Sequence, residues 1–219
     1  MKHYGHFGFK EFAVALGYKG EYIKRWFLDY HSLSGNISVA LGNGSVQVDQ
    51  RSCEDWMVHL RDTGANTATG GRVKRIESLL CDEPFMVTYG DGVADIDLHA
   101  LLAFHRRMGK TATITAVRPP ARYGGLAFDG DNVTQFVEKP QIGEGWINGG
   151  YMVLEPGIFK YLNGDRDSLE VNLLEKLAFD KQLAAYRHPG FWQCMDTLRD
   201  KNTLEAMWER GSPPWKVWS

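Results

Sequence analysis

No apolar run in this chain approaches the ~18 residues that a membrane span requires, and the opening residues, Met1-Lys2-His3-Tyr4-Gly5-His6, hold no apolar stretch of the secretory kind. An excess of either charge is also missing. Lys and Arg number 25 against 27 Asp and Glu, for a formal net charge of −2, which argues against DNA, RNA or an anionic membrane as the main partner. Phosphate, if bound, must meet a local site and not a general field. Cysteine is scarce: Cys53, Cys81 and Cys194 are odd in number, widely spaced and without a Cys-x-x-Cys pair, so neither a disulfide scaffold nor a zinc site is expected. These absences together point to a soluble chain in a reducing, cytoplasmic setting.

What remains is ordinary globular material. With 219 residues, 43% hydrophobic and 24% charged, the chain can bury a full-sized core, and no repeat, low-complexity stretch or linker divides it. We therefore expect a single α/β domain over 1–219.

The stretch Phe85 to Asp95 organises the rest. Phe85-Met86-Val87-Thr88 suits a short buried strand, and Gly90-Asp91-Gly92 follows it, where the chain can turn freely beside a carboxylate. Ligands of open α/β sheets bind at that edge, and a carboxylate there suits Mg²⁺, which takes oxygen ligands and shares them with phosphates. An Asp-Gly turn with a solvated side chain accounts for the same residues.

The flanking segments alternate strands and helices. Phe9–Leu16 reads as a strand and Glu21–Tyr30 as a helix with Tyr22, Ile23, Trp26, Phe27 and Tyr30 on one stripe. Asn36–Leu41 and Ser45–Asp49 flank Gly42-Asn43-Gly44 as a hairpin. A strand over Trp56–Leu60 leads into a polar loop ending Thr67-Ala68-Thr69-Gly70-Gly71-Arg72, ahead of a helix from Val73 to Leu80. Amides at that helix start can meet a phosphate or a base edge, and Arg72 adds a planar fork of donors. The loop is not a Walker A sequence, since no Gly-Lys-Ser/Thr follows it. An unspecialised loop with Asp62 or Thr69 as a cap is the plainer alternative.

Further on, Ile96–Met108 reads as a helix, with His99 and His105 expected to be partly packed surface side chains. Thr111–Val117 is a β-branched strand, and Gly124–Phe128 with Val133–Glu138 forms a second hairpin. Proline favours an extended Lys139 in Glu138-Lys139-Pro140, from where an ammonium can reach a phosphate and Glu138 can accept from sugar hydroxyls; an edge-strand salt pair is the alternative. Trp146–Leu154 is a strand whose Asn148-Gly149-Gly150 suggests a bulge or a close approach of ligand to backbone. A helix over Ser168–Phe179, a strand over Leu183–Arg187 and a helix over Leu198–Glu209 complete the pattern, with Asp196 either a helix cap or a site carboxylate. The tail around Trp215 and Trp218 is expected to pack.

In this order the motifs resemble those of the sugar-phosphate nucleotidyltransferases. Gly17-Tyr18-Lys19-Gly20, Thr69-Gly70-Gly71-Arg72, Tyr89-Gly90-Asp91-Gly92, Glu138-Lys139-Pro140, Ile147-Asn148-Gly149-Gly150 and Phe191-Trp192-Gln193 with Met195-Asp196-Thr197 run nearly end to end. The Thr-Gly-Gly-Arg loop and the Phe-Trp-Gln segment resemble the cytidylyl branch, the glucose-1-phosphate cytidylyltransferases. The resemblance implies a Rossmann-like three-layer α/β fold with a mixed, mostly parallel sheet and small β-hairpin elements. It implies in-line transfer of a cytidylyl group from CTP to α-D-glucose 1-phosphate, with Asp91 and Asp196 on one Mg²⁺. Lys139 would hold the sugar phosphate, and Glu138, Asn148 and Gly149 the sugar. Thr67, Gly70, Gly71 and Arg72 would lie beside the nucleotide, and Gly90 would let it approach the strand end. A homo-oligomer is also implied.

One departure accompanies the resemblance. The family's opening Gly-Gly-x-Gly-Thr-Arg loop and Lys-Pro-Lys segment have no counterpart here, so the chain is expected to be N-terminally truncated relative to the family. Its central sheet should then leave two neighbouring strands without a partner between them, and its activity alone should be reduced, since losing one charge-balancing donor costs roughly 10²–10³ in rate elsewhere. Cys194 stands where the family usually has proline. Other readings of the same residues are a nucleotidyltransferase using UTP or dTTP, a non-catalytic sugar-phosphate-binding or assembly subunit, and a glycosyltransferase with Asp91 and Asp95 as its metal pair. The Glu-Lys-Pro and Met-Asp-Thr segments argue against the last.

Overall fold

The computed structural model describes residues 1–49, 53–80, 82–119, 125–129, 132–137 and 145–218. The chain opens with helix α1 (Lys2–His6), strand β1 (Glu11–Leu16), helix α2 (Gly20–Leu33), a ribbon of β2 (Asn36–Ala40) and β3 (Ser45–Asp49), then β4 (Met57–Asp62) and α3 (Thr69–Arg75). Next come β5 (Phe85–Thr88), β6 (Gly92–Ala94), α4 (Leu98–Met108), β7 (Ala112–Val117), the pair β8 (Gly125–Asp129) and β9 (Asn132–Val137), and β10 (Ile147–Leu154). The last third holds a wide-turned π-helical segment, Leu169–Glu175, running into α5 (Lys176–Phe179), then β11 (Leu183–Arg187), β12 (Trp192–Cys194) and α6 (Leu198–Glu209).

The central sheet has the order β11-β7-β10-β5 and is mixed: β11 and β7 are parallel, while β10 runs antiparallel to both β7 and β5. Strand side chains alternate between faces, and β10 uses both. Met152 and Leu154 join a core with Leu173, Leu177 and Ile158 on one side; Tyr151 and Val153 join Ile96, Leu98 and Leu101 on the other. A strand buried on both faces explains the apolar run Tyr151–Leu154, and helices on each side give the three layers that the resemblance implies.

A second sheet pairs β1 and β4 in parallel. Among the described residues β1 pairs only with β4, and β5 only with β10. Phe12 of β1 and Met86 of β5 both pack against the Ile96 core.

Several details depart from the sequence reading. The first helix of the Thr-Gly-Gly-Arg segment starts at Thr69, not Val73, and is interrupted at Ile76 before a short turn over Glu77–Leu79. His105 is no surface residue: it is 1% exposed, with its ring nitrogens 2.8 Å from Thr113 Oγ1 and 3.0 Å from Glu155 Oε1. The stripe of α2 is not buried, since Tyr22, Ile23 and Trp26 face solvent. The tail does pack: Trp215 is buried and stacks on Phe191. Neither Cys53 nor Cys194 forms a disulfide, and Cys81 lies outside the described residues.

Candidate active site

The site forms where β5 ends, β10 begins and the short pair β6–β12 crosses. Strand β10 is irregular there: Asn148 stands opposite Ala116 and Met152 opposite Ile114, so four residue steps face two. This is the bulge that Asn148-Gly149-Gly150 suggests. Gly150 has φ +78°, a left-handed value glycine takes without penalty, and its amide donates to Asn148 Oδ1 at 3.0 Å. A Cβ on Gly149 would meet Val117 Cγ1 at 2.7 Å. Its carbonyl accepts from Trp192 Nε1 at 2.8 Å, tying β12 to the bulge.

The β6–β12 pair sets the carboxylates. Cys194 lies opposite Gly92, and the Met195 amide donates to the Asp91 carbonyl at 2.8 Å. Asp91 and Asp196 are thereby held on facing segments of one cleft of about 660 Å³, whose lining also includes Asn148, Gln193, Arg199 and Asp200. Asp196 is not the cap of α6. That position belongs to Thr197, which accepts from the Asp200 amide while Asp200 accepts from the Thr197 amide, a capping box. Gly90 is exposed, with open space where a Cβ would stand.

Ligand atoms of Cys194, Asp196 and Asp200 lie within 4.8 Å of one another, and Cys194 Sγ donates to Asp196 Oδ2 at 3.2 Å. A hard divalent cation takes carboxylate oxygen and not thiol. The oxygens of Asp196 and Asp200 suit such an ion and the sulfur does not add to that fit; Asp91 lines the same cleft but is not part of this close group. The pair implied by the resemblance, Asp91 and Asp196, thus shares its cleft with a third carboxylate, Asp200. Asp200 closes the Met195–Asp200 motif in the sequence, but the pattern gave it no site role.

Asp95 has a different task. His188 Nε2 lies 2.8 Å from its Oδ1, the histidine is buried, and a Cβ on Gly190 would collide with both side chains. This pair braces the turn into β12, which removes the basis for an Asp91–Asp95 metal pair. Tyr89 is a residue the sequence reading passed over. Its hydroxyl donates to Glu170, and burial, then that carboxylate, push its pKa well above the ordinary tyrosine value. Glu170 also accepts from Thr69 Oγ1 at 3.1 Å, so it links the cleft to the start of α3.

The Thr-Gly-Gly-Arg segment is not brought to this cleft: none of Thr67, Gly70, Gly71 and Arg72 lines it. The Ala68 and Gly71 amides, instead of facing an anion, donate to the carbonyls of Asp165 and Asp167 at 2.8 and 2.9 Å. Gly70 and Gly71 are buried against residues 162–168, where a Cβ would meet Asp167 O at 2.8 Å and Asp165 Cα at 2.7 Å. Thr67 is buried as well. Arg72 Nη1 reaches Thr63 Oγ1 and the Gly64 carbonyl, each at 2.8 Å, and the Leu16 carbonyl at 3.2 Å. It clamps the ends of β1 and β4 together. Glu138 and Lys139 lie outside the described residues.

The nucleotidyl transferase family model matches residues 47–206. The glucose-1-phosphate cytidylyltransferase of Salmonella typhi is 44% identical over 219 residues, covering 100% of this chain and 85% of that protein. The probable glucose-1-phosphate cytidylyltransferase of Bacillus subtilis (strain 168) is 39% identical over the same coverage. The mannose-1-phosphate guanylyltransferase catalytic subunit beta of Dictyostelium discoideum matches more narrowly, 35% over 145 residues, or 64% of this chain and 40% of that protein. Among solved structures, HddC from Yersinia pseudotuberculosis superposes with a TM-score of 0.63 at 21% identity, covering 93% of this chain and 80% of that one, which bears on fold alone. Identity at this level along the whole chain goes with the two carboxylates facing across one cleft, and on that basis this chain belongs to the nucleotidyl transferase family, among its glucose-1-phosphate cytidylyltransferases.

Proposed function

We propose that this chain transfers the cytidylyl group of CTP to α-D-glucose 1-phosphate, giving CDP-glucose and pyrophosphate. The observation that carries the reading is that Asp91 and Asp196, on segments tied together by the β6–β12 pair, line one cleft with the glycine bulge of β10. Mg²⁺ is the cation the carboxylate set favours, and when bound it would neutralise charge on the phosphates. The protein has no covalent intermediate to form, so its work is positioning and charge balance. Asn148, oriented by the Gly150 amide, and the Gly149 backbone offer hydrogen-bonding groups to a sugar, and Glu138 is a further acceptor for its hydroxyls. Lys139 supplies the charge for the sugar phosphate, and open space at Gly90 admits the nucleotide. Thr67, Gly70, Gly71 and Arg72 act on the nucleotide through the loops they shape. The reading includes a cytoplasmic homo-oligomer; no helix among the described residues is long and apolar enough to cross a membrane.

Nucleotide choice tests this. The chain, and the same chain behind a glycine-rich leading segment of the family type, are incubated with glucose 1-phosphate, Mg²⁺ and an equimolar mixture of CTP, UTP and dTTP. Mass analysis should find CDP-glucose as the dominant product. UDP- or dTDP-glucose in its place, or no nucleotide sugar from either form, would overturn the assignment.

A further inference from the structure

Among the described residues that line the cleft, Arg199 is the single basic one, and it shares that lining with Asp91, Asp196 and Asp200. Carboxylates beside an arginine ordinarily form an ion pair with it. None of the ion pairs among the described residues includes Arg199. Its carbonyl accepts from Thr203 Oγ1 at 2.9 Å, while its guanidinium donates no hydrogen bond among the described residues. Arg72 shows the contrast, since its fork is spent on the carbonyls and hydroxyl at the ends of β1 and β4.

Folding does not account for this residue. Arg199 stands in the first turn of α6, where the positive end of the helix dipole disfavours a cation. Asn202 and Thr203, three and four positions on, give it no charged partner along the helix. It is exposed and belongs to neither core. Its place in the cleft is what remains. A wall of three carboxylates repels phosphate, so an anion entering beside them needs a cation that those carboxylates have not already neutralised. The guanidinium supplies one, and its planar fork matches two oxygens of a single phosphate group.

We propose that Arg199 is a phosphate-binding residue of this cleft, its guanidinium donating to one phosphate moiety: that of the sugar phosphate, or the outer pair of CTP that leaves as pyrophosphate. The inference deepens the proposed transfer and takes its two candidate ligands from it. Isothermal titration calorimetry of the 219-residue chain with Mg²⁺ tests it, using glucose 1-phosphate in one arm and inorganic pyrophosphate in the other. Arg199→Ala should weaken binding of one ligand by about tenfold or more and leave the other within about twofold; the ligand that suffers is the one Arg199 holds. Arg199→Lys keeps the charge without the fork and should recover part of the loss. Tm should stay at the wild-type value in both variants, because the side chain is exposed and bonds to nothing described. Unchanged binding of both ligands by Arg199→Ala overturns the inference, as does a wild type that binds neither. An equal loss for both, which a mere change in the cleft's field would give, overturns direct contact. The two claims fail separately. A nucleotide sugar other than CDP-glucose would overturn the assignment while a selective loss in Arg199→Ala still stood, and equal binding by wild type and variant would remove Arg199 alone.

Discussion

Trp192 Nε1 donates to the Gly149 carbonyl at 2.8 Å, so the strand leading to Asp196 is pinned to the bulge that carries Asn148. The two walls of the cleft therefore move together. Trp192→Phe keeps an aromatic ring and removes this bond. It should cost about 1 kcal/mol of unfolding free energy and raise KM for glucose 1-phosphate by more than it lowers kcat. Urea denaturation beside steady-state kinetics checks both; an unchanged KM would mean the bond does not position the bulge.

Gly150 and Gly90 make a matched pair of tests. At Gly150 the backbone is left-handed and a Cβ would meet the Tyr89 ring at 2.9 Å. Gly150→Ala should lose roughly 1–3 kcal/mol, of which about 1–2 is backbone strain, lowering Tm by several degrees. At Gly90 nothing stands within 4 Å of a Cβ. Gly90→Ala should leave Tm unchanged, so any loss of activity there reports crowding of the nucleotide. A fall in Tm for Gly90→Ala would contradict the described geometry.

Arg72 predicts a failure of conservative replacement. Its planar fork serves several acceptors at once, and Gly17 leaves no room for a side chain beside it. A lysine ammonium cannot reproduce that reach. Arg72→Lys should destabilise by about 2 kcal/mol, close to Arg72→Ala, and calorimetry of the two variants decides. Full rescue by lysine would mean that charge, and not the fork, matters.

His3 sets an acid limb to stability. It is 8% exposed and packs against Tyr4, Phe7 and Tyr151, and burial lowers its pKa below the ordinary histidine value. The unfolded chain then binds a proton more readily than the folded one. This contribution is complete above the ordinary pKa, about 6.5, and is lost as pH falls below it toward the folded value. Tm should drop between pH 7 and pH 5, and His3→Phe should flatten part of that drop. An identical slope in the variant would remove His3 from the account.

Much of this was legible in the sequence, for reasons that differ by residue. Local chemistry decided the ribbon around Gly42-Asn43-Gly44, the strand end at Gly90-Asp91-Gly92 and the bulge at Gly149-Gly150, and each appears where glycine demanded it. Long-range pairing was not legible. Strands β6 and β12 have three residues each, too short for any periodicity, yet their pairing is what faces Asp91 toward Asp196. The role of the Thr-Gly-Gly-Arg segment was hidden for the same reason. Its glycines and amides answer to residues 162–168, almost a hundred positions away. The stripe on α2 was legible as a stripe, but spacing reveals amphipathicity and not what covers it.

The proposed reaction requires Asp91 and Asp196 to act together on a divalent cation. The most direct measurement is Mg²⁺-dependent pyrophosphate release from CTP and glucose 1-phosphate by the wild type, Asp91→Asn, Asp196→Asn and the double variant, in whichever form of the chain makes CDP-glucose. Each single change should reduce kcat at least 10²-fold with Tm preserved, and the double variant should fall little further, because the two carboxylates act as a unit. Near-wild-type release by either single variant would contradict the claim.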